Sequence, residues 1–437
     1  MLTNEAVHYY SIIRDKFKNS YLAEDANQII IGIDCDYIDS HEYSYKTLEL
    51  FYNNQKAIAP FAGLFGIFSY ETIHFFEKIE KKEKSQFEFP QFVFANAKAY
   101  LHYSKISKMY TFYGDEEKYY NFLENESFTE KPAENEFFYK IETDLDKEKE
   151  HFYDIVEKAK EYIKMGDIFQ VVLSEQLCLE SNIDSLEFYK KLAKANPSPY
   201  MFHFPTKYGD VVGSSPEILA EILFNNIYIA PIAGTRPRGK DANEDAFLAQ
   251  DLLNDPKECA EHRMLVDLAR NDIGKFARQG SVIVKNMMHV KHYQHVMHIV
   301  SEVFGQKRND VSLFDIISSV FPAGTLSGAP KIRAMEIIGE LEEYKRNIYG
   351  GGIGFLHFNG NMQLAIVIRS AFFANRNNAT DNISGKNTSE GNNVSKVFIQ
   401  AGAGIVYDSI KEKEYEEITH KRASVLNIFK NNCKERG

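Results

Sequence analysis

Tryptophan is missing from this chain of 437 residues, although 26 tyrosines and 33 phenylalanines are present. Its absence, with the excess of Lys, Asn, Ile and Phe, fits an AT-rich coding sequence. Cysteine is scarce: four residues, at 35, 178, 259 and 433, with no C-x-x-C spacing. That excludes a disulfide framework and a zinc site, and reads as reduced thiols of a cytoplasmic protein. None stands in a Gly-x-Cys-x-Gly turn of the kind that presents a nucleophile. No apolar run approaches the roughly 18 residues of a membrane span. No basic stripe exists and the net charge is −11, which excludes a nucleic-acid partner. The opening residues, MLTNEAVHYYSIIRDK, are mixed and charged, so no signal peptide is expected.

What is present is ordinary globular material, 44% hydrophobic and 26% charged, long enough for two or three domains. QIIIGIDC (28–35) reads as a buried strand, residues 63–77 as a strand passing into a helix, and 100–114 as alternating strands. The acidic, polar stretch 115–150 reads as a linker. A helix is expected over about 147–165, with Phe152, Ile155, Val156, Ala159 and Ile163 on one face and Gly166 as its stop. Beyond it come a strand in IFQVVLSEQL, a helix near 185–195, and strands around YMFHF, DVVGSS and IYIAPIAG. Two helices fill 243–276, two strands follow, Asn359-Gly360 marks a hairpin, and a helix over 412–431 closes the chain. Strands arrive in runs, so the class is α+β. The expected division is an N-terminal lobe, 1–140, and a larger unit, 147–431. Residues 375–395 form a polar, low-complexity insert expected to be an exposed mobile loop.

Three patterns carry chemistry. The loop FPAGTLSGAPK (321–331) places two glycines and two hydroxyls before a helix, a seat for an anion. Glu258 and Glu261 share one helix face, as do Glu414 and Glu417, and two E-x-x-E pairs make an oxygen cage for a hard cation such as Mg²⁺. Spacing alone fits a solvated charged face better than a metal site. Glu217 follows Ser214-Ser215-Pro216 at a strand end, and His298 alternates with Val296 and Val300 on a strand.

With PIAGTRPRG (231–239), DPKECAEHRMLVDLARND (255–272), VMHIVSEV (296–303) and QAGAGIV (400–406), these segments resemble the chorismate-utilising enzymes, and among them the anthranilate synthase component I family. The resemblance implies a two-lobed α+β body with face-to-face sheets and helices outside. It implies Mg²⁺ held directly by Glu261 and Glu417, and through water by Glu258 and Glu414. It makes Glu217 the general acid at the departing 4-hydroxyl and His298 the ring-side residue in pyruvate loss. Thr325 and Lys421 join the catalytic set. Chorismate would be framed by Gly234, Thr235, Tyr349, Arg369, Gly402, Ala403 and Gly404. Tryptophan, as inhibitor, would bind between Asp25, in Leu22-Ala23-Glu24-Asp25, and the turn Pro199-Tyr200-Met201. An enzyme that makes tryptophan also gains from containing none, a second reading of its absence.

Two missing lysines narrow the chemistry that the resemblance implies. Isochorismate and salicylate synthases carry a lysine base where Gln170 stands. Aminodeoxychorismate synthases carry a lysine nucleophile where Ala233 stands. What remains is direct attack by ammonia to give anthranilate. The ammonia is expected from a separate glutamine amidotransferase subunit, in a hetero-oligomer. The alternatives are an aminodeoxychorismate synthase large subunit and a catalytically idle scaffold subunit.

Overall fold

The computed structural model describes residues 2–123, 136–293, 296–375 and 394–436. Among these, two large and mainly antiparallel sheets, of twelve and ten strands, face each other. Alternation decides which side chain goes where. In the strand Gln28–Ile33, Ile30 joins the core between the sheets, while Ile29, Ile31 and Ile33 point to the outer face. In Gly63–Phe68, Phe65 and Ile67 point inward, and Leu64 and Phe68 outward. The inner layer is aromatic: Tyr21 stacks on Phe65 at 4.4 Å between ring centres. Helices cover both outer faces, so the fold is the α+β body expected.

The first 140 residues do not keep a sheet to themselves. Tyr21–Glu24 pairs with Tyr200–Thr206 in the larger sheet, and Gly63–Phe68 pairs with Gly352–His357 in the smaller one. The stretch read as a linker is partly ordered structure. Glu116–Tyr119 is a helix capped by Asp115, Phe137–Ile141 pairs with Gln170–Ser181, and the next helix already begins at Leu145. Its cap, Asp144, accepts the Lys147 N–H, a local signal hidden in an acidic run. Gly166 ends that helix with φ 84°, as its position required. The insert lies almost wholly outside the described residues; the strands on either side pair directly, Ala374 opposite Lys396.

Two helices and one strand position the chemistry. Asp255 accepts the N–H groups of Lys257 and Glu258 and Pro256 opens the helix Pro256–Gly274, so Glu258 falls in its first turn and Glu261 one turn later. The helix Lys411–Asn432 carries Glu414, Glu417 and Lys421. Ser395–Ile405 runs antiparallel to Gln170–Ser181, with Gly402 opposite Ser174 and Gly404 opposite Val172.

Candidate active site

Glu217 stands one residue beyond Pro216, between the strand Gly209–Ser215 of one sheet and Ile218–Leu223 of the other. It is 8% exposed and its Oε1 accepts a 2.8 Å hydrogen bond from the Thr325 hydroxyl. Burial lifts its carboxyl to about 7, against the opposing pull of Thr325, Lys421 and Arg369. The loop 321–331 thus meets the site through Thr325. Its next residues are taken up by structure: Gly328 and Ala329 pair with Val171 and Gln170, and the Lys331 ammonium is spent on Asp272 at 2.6 Å. The helix start read as an anion seat therefore has its own cation tied to the core.

His298 lies opposite Thr235 on paired strands. Its Nδ1 is 2.9 Å from the Gly234 carbonyl and 3.0 Å from the Thr235 hydroxyl. A carbonyl only accepts, so Nδ1 carries the hydrogen and Nε2 is left with its lone pair. Burial holds this imidazole below its usual range, so the ring is neutral near pH 7. The bulge between Ala233 and Thr235, with Gly234 at φ 68°, turns that carbonyl toward the ring.

The carboxylate pairs converge. Burial raises the pKa of Glu258, Glu261 and Glu414, and like charge adds to each: Glu261 on Glu258, and Glu417 on both Glu261 and Glu414. The Gln170 amide donates to Glu261 Oε1 at 2.7 Å. Lys421 Nζ reaches Glu417 Oε1 at 2.6 Å and the Gly402 carbonyl at 2.8 Å. Among the described residues no group of three or more His, Cys, Asp or Glu side chains closes into a ready cage. Two facing pairs that repel one another suit Mg²⁺ all the same, because that ion takes one or two carboxylates and fills its shell with water and substrate oxygens. The donor set therefore fits.

Arg369 closes the constellation. It sits at φ 52°, and its guanidinium has no hydrogen-bond partner among the described residues. It feels the charges of Tyr349, Glu417 and Glu217. The floor is glycine by necessity: a Cβ on Gly402 would lie 2.9 Å from Tyr349 Oη, and one on Gly404 2.5 Å from Gln170 Nε2. Ala403 departs from expectation. Its methyl points to the opposite face, into the core with Leu173, so its side chain does not line the site.

The sequence reading missed what braces this floor. Arg346 is 2% exposed, forks onto Glu342 and donates to the carbonyls of Leu326 at 2.6 Å and Val172 at 2.7 Å. Glu342 also accepts the N–H and hydroxyl of Ser174. In sequence, EEYKRN (342–347) looks like a solvated charge run, and only the apolar, glycine-rich stretch IYGGGIGFL that follows it hints otherwise.

The two segments expected to hold an effector also meet. Glu24 pairs with Met201 and Ala23 with Phe202, beside a cavity of about 370 Å³ lined by residues of both sheets, including Asp25, Tyr200, Phe355 and Gln363. Pro199 is not among the lining residues. Asp25 spends its carboxylate on its own turn, accepting the N–H groups of Asn27 and Gln28.

Comparison with known proteins follows the same line. A family described as chorismate binding enzyme matches residues 9–427. Anthranilate synthase component 1 of Acetivibrio thermocellus is 49% identical over 64% of this chain and 52% of its own length. The chain thus aligns with about half of that relative. The component 1 of Methanothermobacter marburgensis is 41% identical over 83% of this chain and 74% of its own length. The crystal structure of anthranilate synthase component I from Streptococcus pneumoniae TIGR4 superposes with a TM-score of 0.71 at 30% identity, covering 93% of this chain and 91% of that one. With the family match running from residue 9 to residue 427, nearly its whole length, the chain belongs to the family of chorismate binding enzymes.

Proposed function

We propose that this chain is the large, synthase subunit of an anthranilate synthase, converting chorismate and ammonia to anthranilate, pyruvate and water in tryptophan biosynthesis. The observation that carries the reading is Glu217, a buried carboxyl held near pKa 7 by its surroundings and hydrogen-bonded by Thr325. It is protonated often enough near neutrality to give its proton to a leaving hydroxyl. Ammonia attacks C2 of the ring, the double bonds shift, and the 4-hydroxyl leaves as water with the proton of Glu217. His298 Nε2 then takes the proton from C2, and the enolpyruvyl group leaves as pyruvate while the ring becomes aromatic. Arg369 and Lys421 supply positive charge to a dianion entering a chain of net charge −11.

Glu261 and Glu417 would hold Mg²⁺ directly and Glu258 and Glu414 through water, and the ion when bound would neutralise a substrate carboxylate. Gln170 and Ala233 offer neither a base for water nor an amine for covalent attack, which favours ammonia over the other nucleophiles of this chemistry. Cys35, Cys178 and Cys259 are buried in the core, so none of them is presented as a glutaminase nucleophile, and a separate amidotransferase subunit is the implied source of ammonia. The cavity between Ala23–Asp25 and Tyr200–Phe202, walled by Phe65, Phe202 and Phe355, is the place for tryptophan as inhibitor.

The test is direct. Pure chain with chorismate, Mg²⁺ and ammonium should yield the blue fluorescence of anthranilate. Recovery of 4-amino-4-deoxychorismate would transfer the chain to the other amination, and no turnover would leave a binding subunit. The metal assignment has its own readout: Glu261→Gln should abolish the Mg²⁺ heat in calorimetry and leave the melting temperature within a few degrees. Unchanged Mg²⁺ binding would remove Glu261 from the ligand set.

A further inference from the structure

Two glutamines interrupt an aromatic core. The strand Gln170–Ser181 turns Gln170, Val172, Ser174, Gln176 and Cys178 toward the space between the sheets, and its partner turns Gln400, Gly402 and Gly404 the same way, with Gln400 opposite Gln176. One end of this face is the floor of the active site. Two residues along the strand from Gly402, or about 7 Å at roughly 3.3 Å per residue, lies a cavity walled by Phe87, Phe372 and Phe398. Tyr349, which borders Gly402, also lines it, as do Ile368 and Ser370 on either side of Arg369.

The polar atoms at this cavity are nearly all used. Gln176 Nε2 donates to Gln400 Oε1 at 3.1 Å, Gln400 Nε2 to Ser174 Oγ at 2.9 Å, and Ser174 Oγ to Glu342 at 2.7 Å. Ser370 Oγ donates to the Ile368 carbonyl. One atom is left: Gln176 Oε1 is buried without a partner, on a side chain only 7% exposed. A buried amide oxygen of this kind calls for a donor. The cavity holds about 280 Å³ of interatomic space, almost all too narrow for anything beyond one water-sized molecule. No charged side chain lines it, and aromatic walls disfavour an ion. The occupant it suits is small, uncharged and a hydrogen-bond donor.

We propose that this cavity is a holding site for free ammonia, bound as NH3 through Gln176 Oε1 and released past Tyr349 to the substrate. The assignment rests on the aminating activity proposed above. Aromatic walls would keep the nitrogen unprotonated, and therefore nucleophilic, until it reaches the ring.

Two variants test it. Gln176→Met keeps length and removes the acceptor. Val367→Ile adds one methyl to the cavity wall and leaves Gln176 alone. Anthranilate formation is followed against ammonium concentration at saturating chorismate and fixed pH. In both variants the KM for ammonium should rise about fivefold or more, from the loss of one neutral hydrogen bond in the first and from lost room in the second, while the KM for chorismate stays within about twofold. If the wild type makes anthranilate and both folded variants keep the ammonium KM, the cavity holds only water and the proposal falls. If Gln176→Met does not fold, Val367→Ile alone decides. A wild type that makes no anthranilate at all from ammonium refutes the activity first, and the ammonia site with it.

Discussion

Glu217 is where burial and catalysis oppose each other. Its carboxyl is raised from 4.5 to about 7, and burial is the largest cause. The sign follows by linkage: a folded state that holds the proton more tightly has its full stability below pH 4.5 and loses it as pH climbs through 7. The cost is on the order of 3 kcal/mol once the group is ionised, at about 1.4 kcal/mol per pH unit. Glu217→Gln should therefore melt higher than the wild type at pH 8.5 and match it at pH 4.5, by calorimetry at both values. The same variant should lose at least about a hundredfold in kcat, the usual contribution of a positioned acid. An inactive variant with an unchanged pH dependence of melting would mean that Glu217 is not the buried, proton-binding carboxyl described. Nothing local in SSPEI distinguishes this residue from a surface glutamate, and only the company of the other motifs marks it. His298 was legible in the same indirect way, whereas its tautomer, set by the Gly234 carbonyl, was not.

At the scale of elements, the strands were the readable part. A buried apolar run exposed Gln28–Ile33, the YMFHF segment exposed Tyr200–Thr206, and the Asn359-Gly360 turn exposed its hairpin. Pattern failed where an element is short: Leu313–Val320 is a helix of eight residues whose only outward side chains are Asp315 and Ser318, too few to show a period, and Ile218–Leu223 hides between two recognised strands. The Arg346–Glu342 brace was illegible because its partners come from three separate segments. That brace holds the carbonyl of Leu326, next to Thr325, and so aims the hydroxyl at Glu217. Thr325 favours the ionised acid. If the brace slackens, the hydrogen bond is lost and the pKa of Glu217 rises. Arg346→Lys keeps the charge and removes the fork. It should lower kcat about tenfold or more, leave the KM for chorismate nearly unchanged, and move the alkaline limb of the pH–rate profile upward. Thr325→Val should move that limb the same way without the loss of stability. A lowered kcat with an unmoved limb would reduce Arg346 to a structural role.

Across the whole molecule, the interleaving of the first 140 residues with both sheets gives the cavity beside Ala23–Asp25 a short path to Glu217 and Arg369. Tyr200 and Met201 lie against the cavity and pair with Ser215 and Ser214. Ser214 donates its backbone N–H to the Arg369 carbonyl at 3.2 Å, and Glu217 stands two residues beyond Ser215. A ligand that wedges the sheets apart at Phe355 and Phe202 would displace the general acid and the free cation together. Tryptophan should therefore weaken chorismate binding, and chorismate should weaken tryptophan binding by the same factor, because a coupling free energy belongs to both sites. Paired calorimetric titrations, each ligand with and without the other, measure that factor from both directions. Weakening that keeps growing as the other ligand is raised, with no plateau, would place tryptophan at the chorismate site itself. Ala23→Leu, which fills the cavity far from Glu217, should abolish tryptophan binding with kcat intact. Asp25→Ser keeps an acceptor for the turn at Asn27 and Gln28 and removes a carboxylate that would face the carboxylate of the amino acid, so it should tighten tryptophan binding by several-fold. If neither the wild type nor Asp25→Ser takes up tryptophan, the cavity is a packing gap between the sheets and the chain escapes this feedback.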